Sequence, residues 1–498
     1  MNRDDALRAL REAGQTWDVL VIGGGATGLG SALDAASRGF RTALVEQHDF
    51  AKATSGRSTK LIHGGVRYLR QGNLALVRDS LRERGLLLQN APHLVRKLAF
   101  VVPCRTWSDR PFYGIGLKLY DALAGSLGLG ATELLSRSEA LARVPGVCAD
   151  GLRGGVLYWD AQFDDARLAL ALARAVFDYG GVAANYVRVE TLLKRDGRVC
   201  GARVRDMESG AEFEVKARVV VNATGVFTDP VRRLDDGNSP PMIAASQGAH
   251  LVLPREFLPG DSALMVPKTD DGRVLFAIPW HGRVVVGTTD TPVSETPLDP
   301  RPREDEVQFL LSHAAEHLAR APSTADVLSA WAGLRPLVKG GSGASTSRLS
   351  RDHTLVVSDS GLVTIAGGKW TTYRKMAEDT VDRVAVVGGL GRRPCVTAKL
   401  ELPDDGSGLP AFGYADGVAT TRDALEPLVR EGVRSEMART VEDFLARRTR
   451  WLMLDARGSV VVAPLVAELM AKELGCDANW AGRQTRAFAE LARGYCGA

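Results

Sequence analysis

Residues 17–28 read WDVLVIGGGATG, and this stretch decides the fold. Residues 17–22 are an apolar run of strand length that ends in glycines. Gly23, Gly25 and Gly28 then spell GxGxxG. They open a segment, 26–38, with Leu29, Leu33 and Ala36 on one helical side and Gly39 as its stop signal. Residues 41–46 (RTALVE) form a second buried strand, so the chain opens β-α-β and implies a parallel sheet. The first glycine makes a tight turn, the second lets backbone approach a pyrophosphate, and the third lets the helix pack on the strand. Ala26 and Thr27 sit where free N–H groups and the positive end of the helix dipole would meet phosphate. Glu46 ends the second strand, 18 residues after Gly28. A carboxylate there accepts hydrogen bonds from ribose hydroxyls and disfavours a 2′-phosphate. These residues predict a dinucleotide site and leave FAD and NAD both open.

Outward from this core, 498 residues are too many for one compact unit, so two or three domains are expected. A formal charge of +4 with no basic block or aromatic RNA motif argues against nucleic acid. The cysteines, 104, 148, 200, 395, 476 and 496, form no CxxC pair and no Cys/His metal spacing. Reduced thiols and no metal are therefore expected. Residues 1–16 are polar, a short helical or disordered leader without the apolar stretch of a secretory signal. Nowhere does an apolar run reach the roughly 18 residues of a membrane span, so any membrane attachment is expected to be peripheral.

Helices are predicted over 73–90, 164–178 and 369–387 from helical recurrence of apolar residues. Asp196-Gly197 is a hairpin signal, and 214–222 is a β-rich run leading into Ala223-Thr224-Gly225. From 248 to 290 the pattern becomes antiparallel β, with Asp271-Gly272 and His281-Gly282 as turns and Pro279 as an edge or bulge. Residues 340–347 (GGSGASTS) read as a flexible loop, 354–368 as strand, 403–410 (PDDGSGLP) as a linker and 419–498 as largely helical. Two late features favour FAD. Asn222-Ala223-Thr224-Gly225 follows a strand, as a second nucleotide-facing turn would. Gly367-Gly368-Lys369 places a helix N-terminus where a flavin ring could rest.

Residues 53–69 (ATSGRSTKLIHGGVRYL) closely resemble the signature of the FAD-dependent glycerol-3-phosphate dehydrogenases of the quinone-linked respiratory type. Gly287-Thr288-Thr289-Asp290, residues 333–337 (GLRPL), Ser350-Arg351-Asp352-His353 and residues 367–374 (GGKWTTYR) resemble that family in the same order. The likeness covers about 16–400 and, more loosely, the tail around 447–455 (RRTRWLMLD), whereas 403–435 looks shorter than the family's usual segment. The resemblance implies an α/β chain, α+β overall. A Rossmann-like FAD domain (1–95, 151–245 and 340–400) would carry an antiparallel-sheet substrate domain (96–150 and 246–339) and a C-terminal helical domain (401–498). It implies non-covalent FAD and oxidation of sn-glycerol 3-phosphate to dihydroxyacetone phosphate, with electrons passed to a quinone. It further implies a cytoplasmic protein, peripheral on the inner face of the cytoplasmic membrane, and is compatible with a homodimer. An oxidase that forms peroxide is the nearest rival, followed by an amine or amino-acid oxidase and a non-catalytic flavin protein.

That chemistry must hold a phosphate, take a proton from the C2 hydroxyl and pass hydride from C2 to flavin N5. Arg67, Arg335 and Arg351 lie in the matching motifs, and arginine's planar fork suits phosphate. Tyr68, Thr288 and Thr289 are candidate hydroxyl donors. His63, before Gly64-Gly65, is the first candidate base and His250 the second, with His353 behind them. Lys369 could stabilise reduced flavin or the substrate oxygen, and Arg335 could join it in catalysis. Thr54, Ser55, Ser58, Lys60, His63, Gly64, Val187, Thr224, Gly225, Gly368, Lys369, Thr371 and Thr372 are expected to serve the cofactor, with Gly23, Gly25, Ala26, Thr27, Gly28 and Glu46. In 96–125, Arg96, Lys97, Arg105, Arg110 and Lys118 interleave with Phe100, Trp107, Phe112, Tyr113 and Tyr120. The mixture suits a surface element dipping into an anionic interface, or a helix capping the pocket.

Overall fold

The computed structural model describes the chain except residues 13, 71, 270–271, 340–352, 404–420 and 497–498, and the side chains of 67 and 70. The predicted loop at 340–347, Arg351, and the linker from 404 on lie outside the described residues, as do the side chain of Arg67 and the turn residue Asp271.

Thr16–Ile22 runs parallel to Thr42–Val45 on one side and to Glu212–Asn222 on the other. Val182–Ala184 extends the sheet beyond Thr42–Val45, and Val363–Gly367 extends it beyond Glu212–Asn222, both in parallel. Residues 19–22, 43–45 and 219–221, where these strands lie side by side, are apolar and buried, as expected where both faces of a parallel sheet are covered. Helix Ala26–Ser37 packs between Asp165–Asp178 and Tyr373–Val387. An antiparallel ribbon, Val187–Arg195 and Arg198–Asp206, rises from the sheet. It turns at Asp196 (φ 50°) and Gly197 (φ 75°), a hairpin geometry that needs residues tolerant of positive φ.

In the second sheet, Ile243–Pro254 pairs antiparallel with Ser329–Val338 over ten positions and with Arg283–Gly287. Leu275–Trp280 turns into Arg283–Gly287 through His281 (φ 44°) and Gly282 (φ 70°). Ala263–Val266 joins Val95–Cys104 in parallel, so one seam departs from the predicted antiparallel pattern. Val95–Cys104 pairs along its whole length with Gly154–Phe163. That strand therefore sits in the second sheet, although the sequence division placed 151 onward with the nucleotide-binding part. Apolar strands of this kind do not encode which sheet they join. Alternate residues of Val95–Cys104 face two separate cores. Ala99 and Val101 share a core with residues of helix Glu304–His317, while Phe100 and Val102 share one with residues of Leu74–Asn90 and Asp109–Ala124.

The C-terminal helices Arg422–Arg434, Ala456–Leu474 and Ala478–Arg493 share a core with Trp280 and Trp331 of the second sheet. Against the first sheet, Met437 joins the apolar core and buried ion pairs add to it. The π-helical turn Asp443–Arg448 sends Arg447 and Arg448 onto buried Asp49, with N–H···O distances of 2.5 Å from Arg447 Nε and 2.9 Å from Arg448 Nη2. Arg450 Nη2 donates to buried Asp165 at 2.7 Å, and Lys52 pairs with Glu442 at 2.7 Å. Burial alone would push the carboxyls of Asp49 and Glu442 up. The arginines, with Lys52 beside Glu442, outweigh it and hold each at about 2.

Folded-state values below the ordinary carboxylate range mean stability that is complete above the unfolded values and is lost as pH falls through the folded ones. For Asp49 and Glu442 that window is about pH 5 down to pH 2. Asp49→Asn should cost about 3–5 kcal/mol at neutral pH, because it leaves buried arginines undercompensated. Urea unfolding should also show a flatter acid dependence for the variant in that window. Equal acid sensitivity in the two proteins would contradict this account.

Candidate functional site

Four carboxyl ends of parallel strands meet around a cavity of about 480 Å³. Thr16–Ile22 delivers Gly23–Thr27, Thr42–Val45 delivers Glu46 and His48, Glu212–Asn222 delivers Ala223–Gly225, and Val363–Gly367 delivers Gly368–Trp370. The sheet is extended from Thr16–Ile22 to Thr42–Val45 on one side and from Glu212–Asn222 to Val363–Gly367 on the other, so the strand order reverses between the adjacent Thr16–Ile22 and Glu212–Asn222, which is where a parallel sheet opens a crevice for a ligand. Gly23 holds φ 113°, and a Cβ there would stand 2.7 Å from the Ala223 carbonyl oxygen. The first and second nucleotide turns are thus pressed together through a residue that must be glycine. A Cβ on Gly28 would run into the Gly23 carbonyl, so Gly28 packs the helix on the turn from behind.

Glu46 lines the cavity. Its carboxylate accepts from Gly24 N–H at 2.6 Å and His48 N–H at 2.8 Å. Enclosure pushes this carboxyl up, and the two N–H donors oppose the rise. Ser55 Oγ accepts from Ala26 N–H at 3.0 Å, Thr54 Oγ1 donates to the Leu334 carbonyl at 2.7 Å, and Trp370 Nε1 donates to the Ser55 carbonyl at 2.8 Å. Three distant segments are laced together at residues 54–55. Of the predicted cofactor residues, Gly23, Gly25, Ala26, Thr27, Glu46, Thr54, Ser55, Val187, Thr224, Gly225, Gly368 and Lys369 line the cavity.

Ser58 and Lys60 do not. Ser58 Oγ donates to Asp165 at 2.7 Å, and Lys60 Nζ donates to Asp165 at 2.6 Å and to the Gly56 carbonyl at 2.9 Å, facing the rings of Trp280 and Trp331. Their polar atoms serve a buried carboxylate rather than a cofactor. Sequence reasoning missed Gln47, His48, Lys52, Arg188, Glu190 and Trp370, which line the cavity. Trp370 was within a quoted motif. Arg188 and Glu190 lie on an ordinary alternating strand, which carries no signal of its own.

The second cluster lies beside the Gly368–Trp370 turn. Lys369 Nζ stands 5.1 Å from the centroid of the Tyr68 ring. Thr371 Oγ1 lies 3.3 Å from both the backbone N–H and the carbonyl of His63, tying the His63–Gly64 loop to the same turn; Thr372 Oγ1 donates to the Lys369 carbonyl. Thr371 and Thr372 therefore brace backbone. His63 and Gly64 do not line the cavity itself and stand with this second cluster. Arg335 Nη2 donates to Thr288 Oγ1 at 3.0 Å and to the Thr289 carbonyl at 2.9 Å, while Nη1 meets Asp290 at 3.3 Å. The next residue, Pro336, lines the cavity with Lys369.

Three candidates fall elsewhere. The Thr289 hydroxyl donates to Glu306 at 2.7 Å and accepts from Ala249 N–H at 2.9 Å in a buried position, so it braces helix Glu304–His317. His250 is 2 % exposed, its ring stacked 4.1 Å from Trp331 and its Nε2 2.9 Å from Thr59 Oγ1. Burial holds its pKa well down, and the ring is closed off from a substrate. His353 pairs with Asp379 at 2.9 Å on an edge strand.

A family model described as FAD dependent oxidoreductase matches residues 18–374, and one described as C-terminal domain of alpha-glycerophosphate oxidase matches 414–481. The mitochondrial glycerol-3-phosphate dehydrogenase of Rattus norvegicus is 40% identical, over 96% of this chain and 73% of its own. Among solved structures, the glycerol-3-phosphate dehydrogenase of Bacillus halodurans complexed with FAD superposes with a TM-score of 0.79. It is 31% identical and covers 99% of this chain and 97% of its own. The L-alpha-glycerophosphate oxidase of Mycoplasma pneumoniae with FAD bound shares the fold, with a TM-score of 0.61 at 18% identity over 78% of this chain and 99% of its own.

Proposed function

We infer the activity from one premise: this chain belongs to the family of FAD-dependent glycerol-3-phosphate dehydrogenases. It is an FAD-dependent oxidoreductase that oxidises sn-glycerol 3-phosphate to dihydroxyacetone phosphate. The observation that carries this reading is the junction of the dinucleotide cavity with a cationic, hydroxyl-bearing cluster at Lys369. The donor set fits FAD. Glu46 suits the ribose, the N-terminus of helix Ala26–Ser37 suits the pyrophosphate, and the Gly368–Trp370 turn suits the flavin end. When bound, FAD supplies the hydride acceptor.

The residues of this chain do the rest. Arg335, with Arg67 and Arg351, holds the phosphate, and Thr288 and Tyr68 add hydroxyl donors. The His63 imidazole takes the proton of the C2 hydroxyl as the C2–H pair departs and the C2=O bond forms. Lys369 carries a cation beside Tyr68, where negative charge develops. Three arginines answer a dianionic phosphate better than the single carboxylate of an amino acid, which argues against an amino-acid oxidase. For the electrons we favour a quinone over oxygen. In a turnover assay an oxidase would instead release peroxide.

The expected route to a quinone is the membrane surface. Among the described residues no helix is long and apolar enough to cross a membrane. Helix Asp109–Ala124 and its approach, however, expose Trp107 (81 %), Phe112 (61 %), Ile115 (72 %) and Leu119 (45 %) next to Arg110 and Lys118. An apolar ridge with basic flanks suits the boundary of an anionic bilayer.

His63→Ala should slow flavin reduction by about 10²–10⁴-fold with little change in substrate affinity. Weakened binding at an unchanged limiting rate would move the base elsewhere. Arg335→Ala should cut kcat/KM for glycerol 3-phosphate by about 10- to 100-fold for each charge-assisted bond lost. Glycerol, a poor substrate without the phosphate, should lose little more, and Arg335→Lys should recover only part. Equal damage to both substrates would make Arg335 a structural residue. The protein should partition to anionic vesicles and be released more completely by detergent than by salt, since salt screens only the charge component. Absence of binding at low salt would leave the helix as a pocket cap.

A further inference from the structure

The inner face of helix Asp109–Ala124 carries Tyr120, which is wholly buried. Its hydroxyl accepts from the Gly64 backbone N–H at 2.7 Å and lies 2.9 and 3.0 Å from the two carboxylate oxygens of Asp160. Asp160 also accepts from Arg84 Nη1 at 2.6 Å, and the same Arg84 nitrogen donates to the Trp159 carbonyl at 3.0 Å. The polarity of this chain is fixed. A carboxylate only accepts, so the tyrosine proton must go to Asp160, and its lone pair is left for Gly64 N–H. Contact is close. A Cβ on Gly64 would stand 2.6 Å from the Tyr120 oxygen and 2.5 Å from Leu81 Cδ2.

The N–H that Tyr120 holds belongs to the peptide joining His63 to Gly64. On its other flank, the N–H and carbonyl of His63 meet Thr371 Oγ1, on the turn that carries Lys369. The backbone of His63 is therefore clasped between Thr371 and Tyr120, and the origin of its imidazole is set by both. Without the tyrosine oxygen, the buried Gly64 N–H keeps only a 3.4 Å approach to Asp160, and the loop is drawn toward it.

We propose that Tyr120, oriented by Asp160 and Arg84, is a positioning residue for His63 in the oxidation step. This rests on the assignment of His63 as the proton acceptor. Tyr120→Phe keeps the ring and deletes one oxygen, so it is expected to retain FAD and melt near the parent protein. Its limiting rate of flavin reduction by glycerol 3-phosphate, measured per bound flavin without oxygen, should fall about 10- to 100-fold, the scale of a misplaced catalytic group. Substrate affinity should be unchanged.

The decisive measurement is a cycle with His63→Ala. If Tyr120 acts through His63, Tyr120→Phe adds no further slowing when the imidazole is already gone. A parental rate per flavin in Tyr120→Phe, with His63→Ala slow, overturns this proposal alone. Multiplied effects in the double variant overturn it as well. A parental rate in His63→Ala removes the base assignment and the positioning role with it. Should Tyr120→Phe fail to fold, Asp160→Asn tests the same chain: it keeps size and an acceptor oxygen but no longer fixes the direction of the tyrosine proton. It is judged by the same cycle.

Discussion

Asp49 and Asp165 are buried carboxylates whose arginine partners arrive from 398 and 285 positions further along the chain. An ionised carboxylate out of water costs several kcal/mol after relaxation, so neither position is tenable without its partners. Asp49 closes the loop that carries Glu46 and His48 to the cavity. Asp165 anchors the loop that carries Thr54 and Ser55 to the cavity and then leads, through Ser58 and Lys60, toward His63. The C-terminal helices are therefore more than an appendage. Their Arg447, Arg448 and Arg450 neutralise the posts on which the nucleotide-facing loops are hung. Apolar packing on Trp280 and Trp331 joins the same helices to the second sheet, so one helical unit grips both halves of the molecule.

What was legible in the sequence was local. GxGxxG, Glu46 at a strand end, Ala223-Thr224-Gly225 and Gly367-Gly368-Lys369 depend on a turn and the strand before it, and all four reach the cavity. The hairpins at Asp196-Gly197 and His281-Gly282 were legible for the same reason, since positive φ is written in the residue types. What failed were the directions of side chains. Ser58 and Lys60 lie in the same stretch as Thr54 and Ser55, yet turn toward a carboxylate more than a hundred residues away. Thr289 and its neighbour Thr288, in the connection that follows Arg283–Gly287, point their hydroxyls to different partners. One hydroxyl meets Arg335 and the other Glu306.

His250 illustrates the same limit. A histidine at the end of a polar stretch, in a strand of the expected substrate sheet, has the chemistry of a base. Its place beneath Trp331 and against Thr59 is set by strand pairing, which the sequence does not print. Gly154–Phe163 pairs with Val95–Cys104 in the second sheet, a partner the sequence could not name because an apolar strand records burial and not its neighbour. Arg447, Arg448 and Arg450 lie in a segment that loosely resembles the family, but nothing in their spacing names Asp49 or Asp165.

The central claim is that the dinucleotide cavity and the cluster around His63, Lys369 and Arg335 form one site for removing hydride from a phosphorylated secondary alcohol. The most direct test mixes the purified yellow protein with glycerol 3-phosphate without oxygen and follows the flavin absorbance by stopped flow. The account predicts complete bleaching, at a rate that saturates with glycerol 3-phosphate, and negligible bleaching by amino acids. A flavin that stays oxidised with glycerol 3-phosphate, or is reduced by an amino acid instead, would contradict it.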